Sequence, residues 1–549
     1  MTLRIVYVVL ALFVCPILSA KEQAAVAMPD KFSADVAKSI LQQGGNAVDA
    51  AIAAQFTLAV TLPEAGNIGG GGFMLVYKDN KADFIDYREK APTAADRDMY
   101  LDKHKNVIPN KSLYGIFASG VPGTVSGMWL AHQKHGSLPW KTLVQPAVDL
   151  AKQGFVMPER LAGYIDRYIK RMDKKGIKLN FASYFGHAVG GEVFKQPELA
   201  ATLERIRDQG YDGFYKGQTA EIIAAFMQKA GGIINQQDLA AYQAQQRTPI
   251  QSDWREYQVL TSPPPSSGGI AILQWLKMYQ NVSAELPAMA HNSSQYIHIL
   301  AEIGKRVFAD RAQYLGDPDF YDVPVKQLID KDYIAKRSGQ VDTDKISVSE
   351  QVKPGLHESE ETTHFSIVDQ YGNAVSNTTT INLGFGSGVV VEGAGFILNN
   401  EMDDFSAKPG VANVFGAIGG KANEIQPHKR MLSSMTPTIL LKGGKIFMVT
   451  GSPGGTTIMS SVYQSILNAV VYNMNAEQAV NSPRFHHQLW PKDVIRYHDG
   501  LKPQVESELK DMGYKLDNRH FGDLQTIINR DGKLDAASER SGRGQSYVF

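Results

Sequence analysis

The first pattern beyond the N-terminal segment is helical. Its apolar spacing predicts a helix over Ser33–Gln43, with Ser33 as the N-cap and Gly44-Gly45 at its end. Asn46 then caps a second helix, built largely of alanine and valine, that runs through Ala59. Side chains this small predict close packing against another layer of the protein.

Strand-like alternation appears in pairs separated by short turns. The predicted pairs are Phe73–Tyr77 with Ala82–Tyr87, His364–Asp369 with Ala374–Thr380, Thr438–Leu441 with Lys445–Thr450, and a last hairpin around Arg530-Asp531-Gly532. Residues 140–335 are mostly helical in pattern, with a proline-rich interruption at Thr261–Gly269, and a long apolar helix is predicted from Thr456 to about Tyr472. Sheets covered by helices follow from this arrangement. Because the N-terminal half lacks the strands for a complete sheet, one interlaced domain fits better than two independent ones.

Composition narrows the class of protein. The 549 residues are 43% hydrophobic and 20% charged, which is typical of a globular protein with a large core. Lys+Arg and Asp+Glu both number 56, so the global charge gives no case for nucleic acid or a membrane surface as a partner.

The N-terminal segment has the features of a secretory signal. Arg4 precedes an apolar run, Ile5–Leu18, which is shorter than the ~20 residues of a membrane-spanning helix and ends in Ser19-Ala20. We expect a signal peptide over residues 1–20, with an uncleaved anchor or a lipoprotein as the alternative. Cys15 is the only cysteine and lies inside this segment, so the mature chain would have no thiol, disulfide or thiolate metal site.

Thr362 has the features of a nucleophile released by cutting the chain. It opens a predicted strand directly after the charged stretch 355–361, and cleavage of the Glu361–Thr362 bond would make it a new N-terminus. An α-amine has a reference pKa near ~7.7, which suits a general base at neutral pH. A threonine hydroxyl beside its own α-amine is a known way to activate a weak nucleophile.

Two glycine-rich segments and two polar ones could support this nucleophile. The turn Gly451–Gly455 leads from a strand into a helix, so its N–H groups can form an oxyanion hole; a plain tight connection is the alternative. Gly69–Gly72 lacks the Gly-Lys-Ser/Thr of a phosphate loop, and close backbone packing explains it better. Arg88 suits a carboxylate ligand, although a surface ion pair with Glu89 or another neighbour is the default interpretation. Ser433-Ser434 is a further polar cluster at a strand or loop end.

Together these segments resemble the γ-glutamyltransferase family of the N-terminal nucleophile hydrolases. The resemblance spans the mature chain and rests on residues 44–51, 69–73, 86–89, 119–125, 362–366, 398–406, 432–435 and 451–455. Each motif is weak alone, but their number, order and spacing are specific.

The resemblance implies a four-layer αββα sandwich of α/β class: one interlaced domain made of two subunits. Self-cleavage between Glu361 and Thr362 would give a large subunit, 21–361, and a small catalytic subunit, 362–549. The implied catalytic residues are Thr362, the orienting Thr380, and Gly454 with Gly455 as the oxyanion hole. The implied substrate-binding residues are Arg88, Ser433 and Ser434 for an α-carboxylate, and Asn382, Glu401 and Asp404 for an α-ammonium.

The implied activity is hydrolysis or transfer of the γ-glutamyl group of glutathione and related compounds. Amino acids or dipeptides would be the acceptors, no metal or organic cofactor is expected, and the location would be periplasmic or secreted with no membrane association after signal removal. Two positions depart from many bacterial relatives: Glu401 stands where glutamine is common, and Phe415, in a lid-like segment after Asp404, stands where tyrosine is common. The alternatives are an acylase of the same fold with another acyl specificity, of the glutaryl-cephalosporin type, and an inactive binding or scaffold protein.

Overall fold

The computed structural model describes residues 23–66, 68–349, 351–352, 362–406, 420–498 and 500–549. The predicted signal peptide, Glu361 and Phe415 therefore lie outside the described residues. The strands in chain order are β1 (Ala25–Met28), β2 (Gly71–Lys78), β3 (Lys81–Asp86), β4 (Phe155–Val156), β5 (Val193–Phe194), β6 (Gln245–Arg247), β7 (Ile250–Trp254), β8 (Tyr257–Thr261), β9 (Thr363–Val368), β10 (Ala374–Thr380), β11 (Thr438–Lys442), β12 (Lys445–Gly451), β13 (Phe485–His487), β14 (Val494–Tyr497), β15 (Lys515–Asn518), β16 (Gln525–Arg530), β17 (Lys533–Ser538) and β18 (Gln545–Val548).

Helices occupy much of the chain between these strands. In chain order they are α1 (Lys31–Gln42), α2 (Ala47–Thr61), α3 (Thr124–His135), α4 (Trp140–Gln153), α5 (Glu159–Lys174), α6 (Phe181–Phe185), α7 (Pro197–Gln209), α8 (Asp212–Tyr215), α9 (Gly217–Ala230), α10 (Gln236–Ala241), α11 (Gly268–Ser283), α12 (Ser294–Tyr314), α13 (Val325–Leu328), α14 (Lys331–Ser338), α15 (Thr457–Val470), α16 (Ala476–Asn481) and α17 (Pro503–Asp511). Short 3-10 helices span Ile116–Ala118, Glu401–Asp404 and Lys421–Asn423. Within the described ranges, no helix is both long enough and apolar enough to span a bilayer.

Two large sheets draw strands from both halves of the chain. The first has the order β18-β1-β9-β10-β2-β3-β6, and the second has the order β17-β16-β12-β11-β8-β7. In the first sheet, β9 and β10 lie between β1 and β2. In the sequence, however, β2 ends at Lys78 and β9 begins only at Thr363. The prediction of one interlaced domain is therefore confirmed.

The first sheet is buried on both faces, which produces four layers. Along β2, Phe73, Leu75 and Tyr77 belong to a core shared with the second sheet and with helices α11, α12 and α15. The alternate residues Met74 and Val76 belong to a core shared with α1, α2, α3 and α4. This alternation follows from the two-residue period of a strand. The predicted αββα sandwich is confirmed.

Helix α2 shows why small residues were needed near the N-terminus. All fifteen of its residues are buried, and it contacts α1, α4 and the strands β9 and β10. Asn46 caps it as predicted, and the Asp49 carboxylate accepts the Asn46 N–H at 3.0 Å in return. The predicted Ser33 cap of the preceding helix is wrong. Asp30 is the N-cap of α1 because its Oδ1 accepts the Ser33 N–H at 2.7 Å, and the helix begins at Lys31.

The interface between the two sheets contains polar groups beside the strand that Thr362 precedes. His364 of β9 is fully buried; it is hydrogen-bonded with Thr378 Oγ1 at 2.9 Å and with Ser366 Oγ at 3.1 Å. Burial lowers the pKa of His364 to about 3, so the ring is neutral. Gly451 of β12 packs on this ring, and a Cβ added there would lie 2.3 Å from His364 Cε1.

Gly451→Ala should therefore destabilise the protein by about 1–3 kcal/mol through overpacking. Gly443→Ala is the matched control in the turn before β12, because a Cβ there meets nothing within 4 Å and only its φ of +57° is unfavourable. Thermal unfolding of both variants, of His364→Ala and of the Gly451→Ala/His364→Ala double variant checks this. The double variant should lose less stability than the sum of the losses in Gly451→Ala and His364→Ala. A loss equal to that sum would rule out the contact.

Candidate active site

Thr362 lies at the head of a central strand, beside Thr380. It directly precedes β9 and is almost fully buried. The antiparallel register of β9 and β10 pairs Thr363 with Thr379, and the same register places Thr380 beside Thr362. The two predicted threonines therefore meet because of strand pairing, despite the eighteen residues between them.

A small cavity of about 20 Å³, here called the inner cavity, brings most of the predicted residues together. Its walls include Arg88, Thr362, Thr380, Asn382, Glu401, Asp404, Ser433, Ser434 and Gly455. These residues come from the end of β3, the start of β9, the end of β10, a 3-10 helix and two loops. Gly454, the remaining predicted residue in the described part, lines a second cavity that also contains Thr362.

Arg88 is buried in the inner cavity instead of forming a surface ion pair. Its Nη1 donates to Glu401 Oε2 at 2.6 Å, and its Nη2 donates to Asp404 Oδ2 at 2.5 Å. Its side chain is 1% exposed, and Nη1 lies 3.6 Å from the carboxylate of Glu89. The Arg88 guanidinium and the carboxylates of Glu401 and Asp404 thus place both signs of charge side by side, as recognition of a zwitterionic ligand requires.

Ser433 and Ser434 are held in place by the segment that interrupts the helical region. The Ser433 N–H donates to Pro265 O at 2.9 Å, and the Ser267 N–H donates to Ser433 O at 2.7 Å. The proline-rich stretch identified in the sequence therefore supports the serine pair, a role that the sequence did not reveal. Ser433 and Ser434 are both almost fully buried.

The glycine turn before α15 has the backbone geometry of an anion site. Gly454 has φ +124° and Gly455 has φ +57°, conformations that side chains disfavour. Among the residues that the structure describes, neither N–H group has a hydrogen-bond acceptor. α15 begins at Thr457, so the positive end of the helix dipole lies at the same place.

Asn382 and Thr380 are fixed by backbone contacts. The Asn382 N–H donates to Thr380 Oγ1 at 2.7 Å, and its Nδ2 donates to Asn400 O at 2.9 Å. Gly70 approaches this point so closely that a Cβ there would lie 2.1 Å from Thr380 O. Close backbone packing, the favoured interpretation of the Gly69–Gly72 run, is confirmed.

Arg311 of α12 is a charged residue of this site that the sequence analysis missed. It is fully buried, its Nε donates to Ser267 Oγ at 2.8 Å, and its Nη2 donates to Ser434 Oγ at 3.4 Å. Burial lowers the pKa of Arg311 to about 9, and Asp404 opposes this shift. A charged residue in a long helix is ordinarily solvent-exposed, so the sequence offered no signal for this position.

Burial shifts the protonation of the acidic groups around Arg88. It raises the pKa of Glu401 and of Asp404 above the ordinary range, while Arg88 opposes the shift. It raises the pKa of Glu89 to about 8, again opposed by Arg88. Within the described residues, both carboxylate oxygens of Glu89 lack a hydrogen-bond partner, which favours its protonated form.

Comparisons with known proteins agree on one family. A family model described as gamma-glutamyltranspeptidase matches residues 33–549. A Pseudomonas aeruginosa protein named glutathione hydrolase proenzyme is 54% identical over 533 residues, which cover 95% of this chain and 94% of that protein.

Two solved structures resemble the chain in different ways. A cephalosporin acylase from Bacillus halodurans has a TM-score of 0.84 at 26% identity and covers 96% of each chain. A gamma-glutamyltranspeptidase from Pseudomonas nitroreducens, complexed with L-DON, has a TM-score of 0.58 at 54% identity. The match covers 97% of that protein's chain and 60% of this one.

Glu89→Gln should change how stability depends on pH. The folded-state pKa of Glu89, about 8, lies above its ordinary value of 4.5, so its contribution is present below pH 4.5 and is lost as the pH rises toward 8. Glutamine does not titrate. The free energy of unfolding of the variant should therefore rise relative to that of the wild type between pH 5 and 8, by up to roughly 1.4 kcal/mol per pH unit.

Unfolding of the two proteins at pH 5, 6, 7 and 8 measures this difference. Glu285→Gln, at an exposed glutamate, is the control and should show no such trend. A Glu89→Gln difference that is constant with pH would contradict the assignment of a buried, protonated carboxyl.

Proposed function

The chain belongs to the γ-glutamyltranspeptidase family, and we propose that it cleaves the γ-glutamyl amide of glutathione and related compounds through an ester on Thr362. One observation carries this proposal: the inner cavity places a threonine at the head of a strand among groups of both charges that suit a zwitterion. The same enzyme would pass the γ-glutamyl group either to water or to an amino acid.

The first chemical step is acylation of Thr362. Once the Glu361–Thr362 bond is cut, the α-amine of Thr362 can take the proton of its own hydroxyl. The hydroxyl oxygen attacks the γ-carbonyl carbon, and the carbonyl oxygen becomes negative. The N–H groups of Gly454 and Gly455 stabilise that charge, and the α-ammonium returns the proton to the departing amine. Water then hydrolyses the ester by the same groups in the reverse order.

The glutamyl head is recognised by charge. Arg88, Ser433 and Ser434 bind its α-carboxylate, and Asn382, Glu401 and Asp404 bind its α-ammonium. Arg311 acts behind the serines as a positioning residue: its donation to the Ser434 oxygen leaves the Ser434 O–H to point at the carboxylate. Arg311 also adds a second positive charge on the carboxylate side of the cavity.

Maturation would divide the chain into a large subunit, 21–361, and a small subunit, 362–549. In the uncut chain the Thr362 hydroxyl would attack the Glu361 carbonyl. One solved γ-glutamyltranspeptidase chain aligns over 97% of its own length but covers only 60% of this sequence. A related chain of that length supports a division of this kind. The N-terminal signal pattern supports export to the periplasm or the medium, and amino acids and dipeptides are the proposed acceptors.

The acylase alternative has weaker support. The solved acylase is 26% identical, whereas the glutathione hydrolase proenzyme is 54% identical over nearly the same length. An acyl group without an α-ammonium would also leave Glu401 and Asp404 with no cation from the substrate.

Thr362→Ala should leave the chain whole and inactive, because both cleavage and acyl transfer need its hydroxyl. Thr362→Ser keeps a hydroxyl and should still be cleaved. Denaturing gels follow the chain, mass spectrometry of the wild type should find a fragment that begins at Thr362, and release of γ-glutamyl product reports activity. Splitting of Thr362→Ala near residue 361, or activity in that variant, would disprove the mechanism.

Arg311→Met should raise the KM for a γ-glutamyl anilide about tenfold, with a smaller change in kcat, because a charged hydrogen-bond donor behind the carboxylate site is lost. Arg311→Lys keeps the charge and should lose less. A substrate whose α-carboxylate is converted to an amide should be much less sensitive to either change.

Arg306→Lys, on the same helix but paired with Glu302 at 2.9 Å, is the control for helix integrity. The double variant Arg311→Met/Ser434→Ala should raise KM by less than the product of the factors measured for the two single variants. Equal losses on the acid and amide substrates would show a merely structural role for Arg311.

A further inference from the structure

A group of charged side chains lies beside the inner cavity without forming its wall. Its members, here called the charge cluster, are Asp86, Arg247, Asp317, Asp319 and Arg430. Asp86, Asp317 and Arg430 are almost fully buried, whereas Asp319 lies at the surface. Among the residues that the structure describes, other side chains line the inner cavity. The charge cluster therefore acts on the site through the chain segments that it joins.

Asp86 of the charge cluster fixes the main chain of Arg88. Its Oδ1 accepts the Arg88 N–H at 3.0 Å, and the Tyr242 O–H donates to the Arg88 carbonyl oxygen at 2.7 Å. Asp86 is held in turn by two cations, because its Oδ2 lies 2.6 Å from Arg247 Nε and its Oδ1 lies 3.4 Å from Arg430 Nε. The position of the Arg88 main chain thus depends on these ion pairs.

Arg430 ties the serine pair to the same point. The serine pair begins three residues after it along the chain. The Arg430 N–H donates to Asp317 Oδ2 at 2.8 Å. Arg88 Nε and Nη2 donate to the carbonyl oxygens of the two residues that follow Arg430, each at 3.3 Å. The Arg88 side chain and the serine pair are therefore both placed by contacts within a few residues of Arg430.

Helix α12 joins the charge cluster through Asp317. This residue lies three positions after the end of α12, whose last turn carries Arg311. Asp317 is fully buried, it accepts the Arg430 N–H, and its Oδ1 lies 3.8 Å from Arg247 Nη2. Three segments that are distant in the sequence therefore meet at one group of charges. They carry Arg88, Arg311 and the serine pair, which are the residues proposed to serve the α-carboxylate.

We propose that Arg430 is a positioning residue for recognition of the glutamyl α-carboxylate. Through Asp86 and Asp317 it sets the spacing between the arginine side chains and the serine pair that serve this carboxylate. This inference rests on the proposed function and deepens it, since it names what fixes the geometry of the site. Charge-assisted hydrogen bonds to a carboxylate need donor–acceptor distances of about 2.7–2.9 Å, so a small shift of one segment removes a contact. Ion pairs this deeply buried often add little net stability, which leaves geometry as their better explanation.

Arg430 uses the shape of its side chain as well as its charge. Its Nη2 donates to the carbonyl oxygen of Gln243 at 3.1 Å, and its Nη1 lies 3.6 Å from Asp319 Oδ2, while Nε faces Asp86. A guanidinium presents its donors in a rigid planar fork, whereas the lysine ammonium is a point charge on a flexible stem. Lysine at this position should therefore restore the charge and only part of the geometry.

The test measures how strongly the enzyme depends on the α-carboxylate of its substrate. Wild type, Arg430→Lys and Arg430→Met are assayed with a γ-glutamyl anilide and with its α-amide, in which that carboxylate is replaced. Arg430→Met should raise KM for the anilide about tenfold and KM for the α-amide about twofold or less, with a smaller change in kcat. Arg430→Lys should fall between wild type and Arg430→Met. A cooperative thermal unfolding transition shows that each variant is folded.

Asp319→Asn keeps the test decisive if Arg430→Met does not fold. Asp319 is exposed, its Oδ1 accepts from Arg247 Nη1 at 3.0 Å, and its Oδ2 lies near Arg430, so its loss loosens the charge cluster from the surface. This variant should raise KM for the anilide about two- to threefold and leave the α-amide unchanged. Asp322→Asn, at an exposed acid of the same loop outside the charge cluster, is the matched control and should change neither value.

Equal rises in KM for the anilide and its α-amide would overturn the proposal. An unchanged KM for the anilide would overturn it as well, in Arg430→Met or, where only that variant folds, in Asp319→Asn. Failure of the proposed function is distinguishable, because the wild type would then release no product from the γ-glutamyl anilide.

Discussion

The site depends on an interior strand that starts at the proposed cleavage point. β9 is hydrogen-bonded to β1 on one side and to β10 on the other, and every residue from Thr363 to Val368 is buried. Chain termini usually fray unless they are tied into a sheet. A chain cut before Thr362 would begin in a strand that is paired with β10 from Thr363 onward, paired with β1 from Ser366 onward, and buried on both faces. Its hydroxyl would therefore keep its place beside Thr380 and the glycine turn without a covalent bond to residue 361.

The cluster around Arg88 is better explained by ligand binding than by stability. Removing a guanidinium and three carboxylates from water is costly, and their mutual attraction often does no more than offset that cost. The inner cavity nevertheless encloses Arg88 with Glu401 and Asp404, and Glu89 lies against the same guanidinium. Protonation of Glu89 relieves part of the excess negative charge. What remains is a buried arrangement of opposite charges, which suits the zwitterionic head that we propose as its ligand better than it suits an uncharged acyl group.

Local signals predicted the elements that carry strong patterns. Asn46 and its alanine-rich helix, the hairpin of β2 and β3, and the hairpin of β9 and β10 were all predicted close to their observed bounds, because capping and two-residue alternation are local. The central strand β1 was missed, since four residues, Ala25–Met28, carry too little pattern. β7 and β8 were missed inside a region that is otherwise helical. Most of the site positions were identified by the resemblance, whereas Arg311 belongs to the site only through contacts with residues distant in sequence, which no spacing in the sequence encodes.

Recognition of the acyl group is separate from the choice of the nucleophile that resolves the ester. The charged side chains of the inner cavity are buried, so water screens their charges little, and on the proposed function they select one acyl group. Thr362 also borders the second cavity, from which water or an amine can approach the proposed ester. On the proposed mechanism, hydrolysis and transfer differ only in which nucleophile reaches the ester, while Thr362 and its glycine turn perform the same chemistry in both cases.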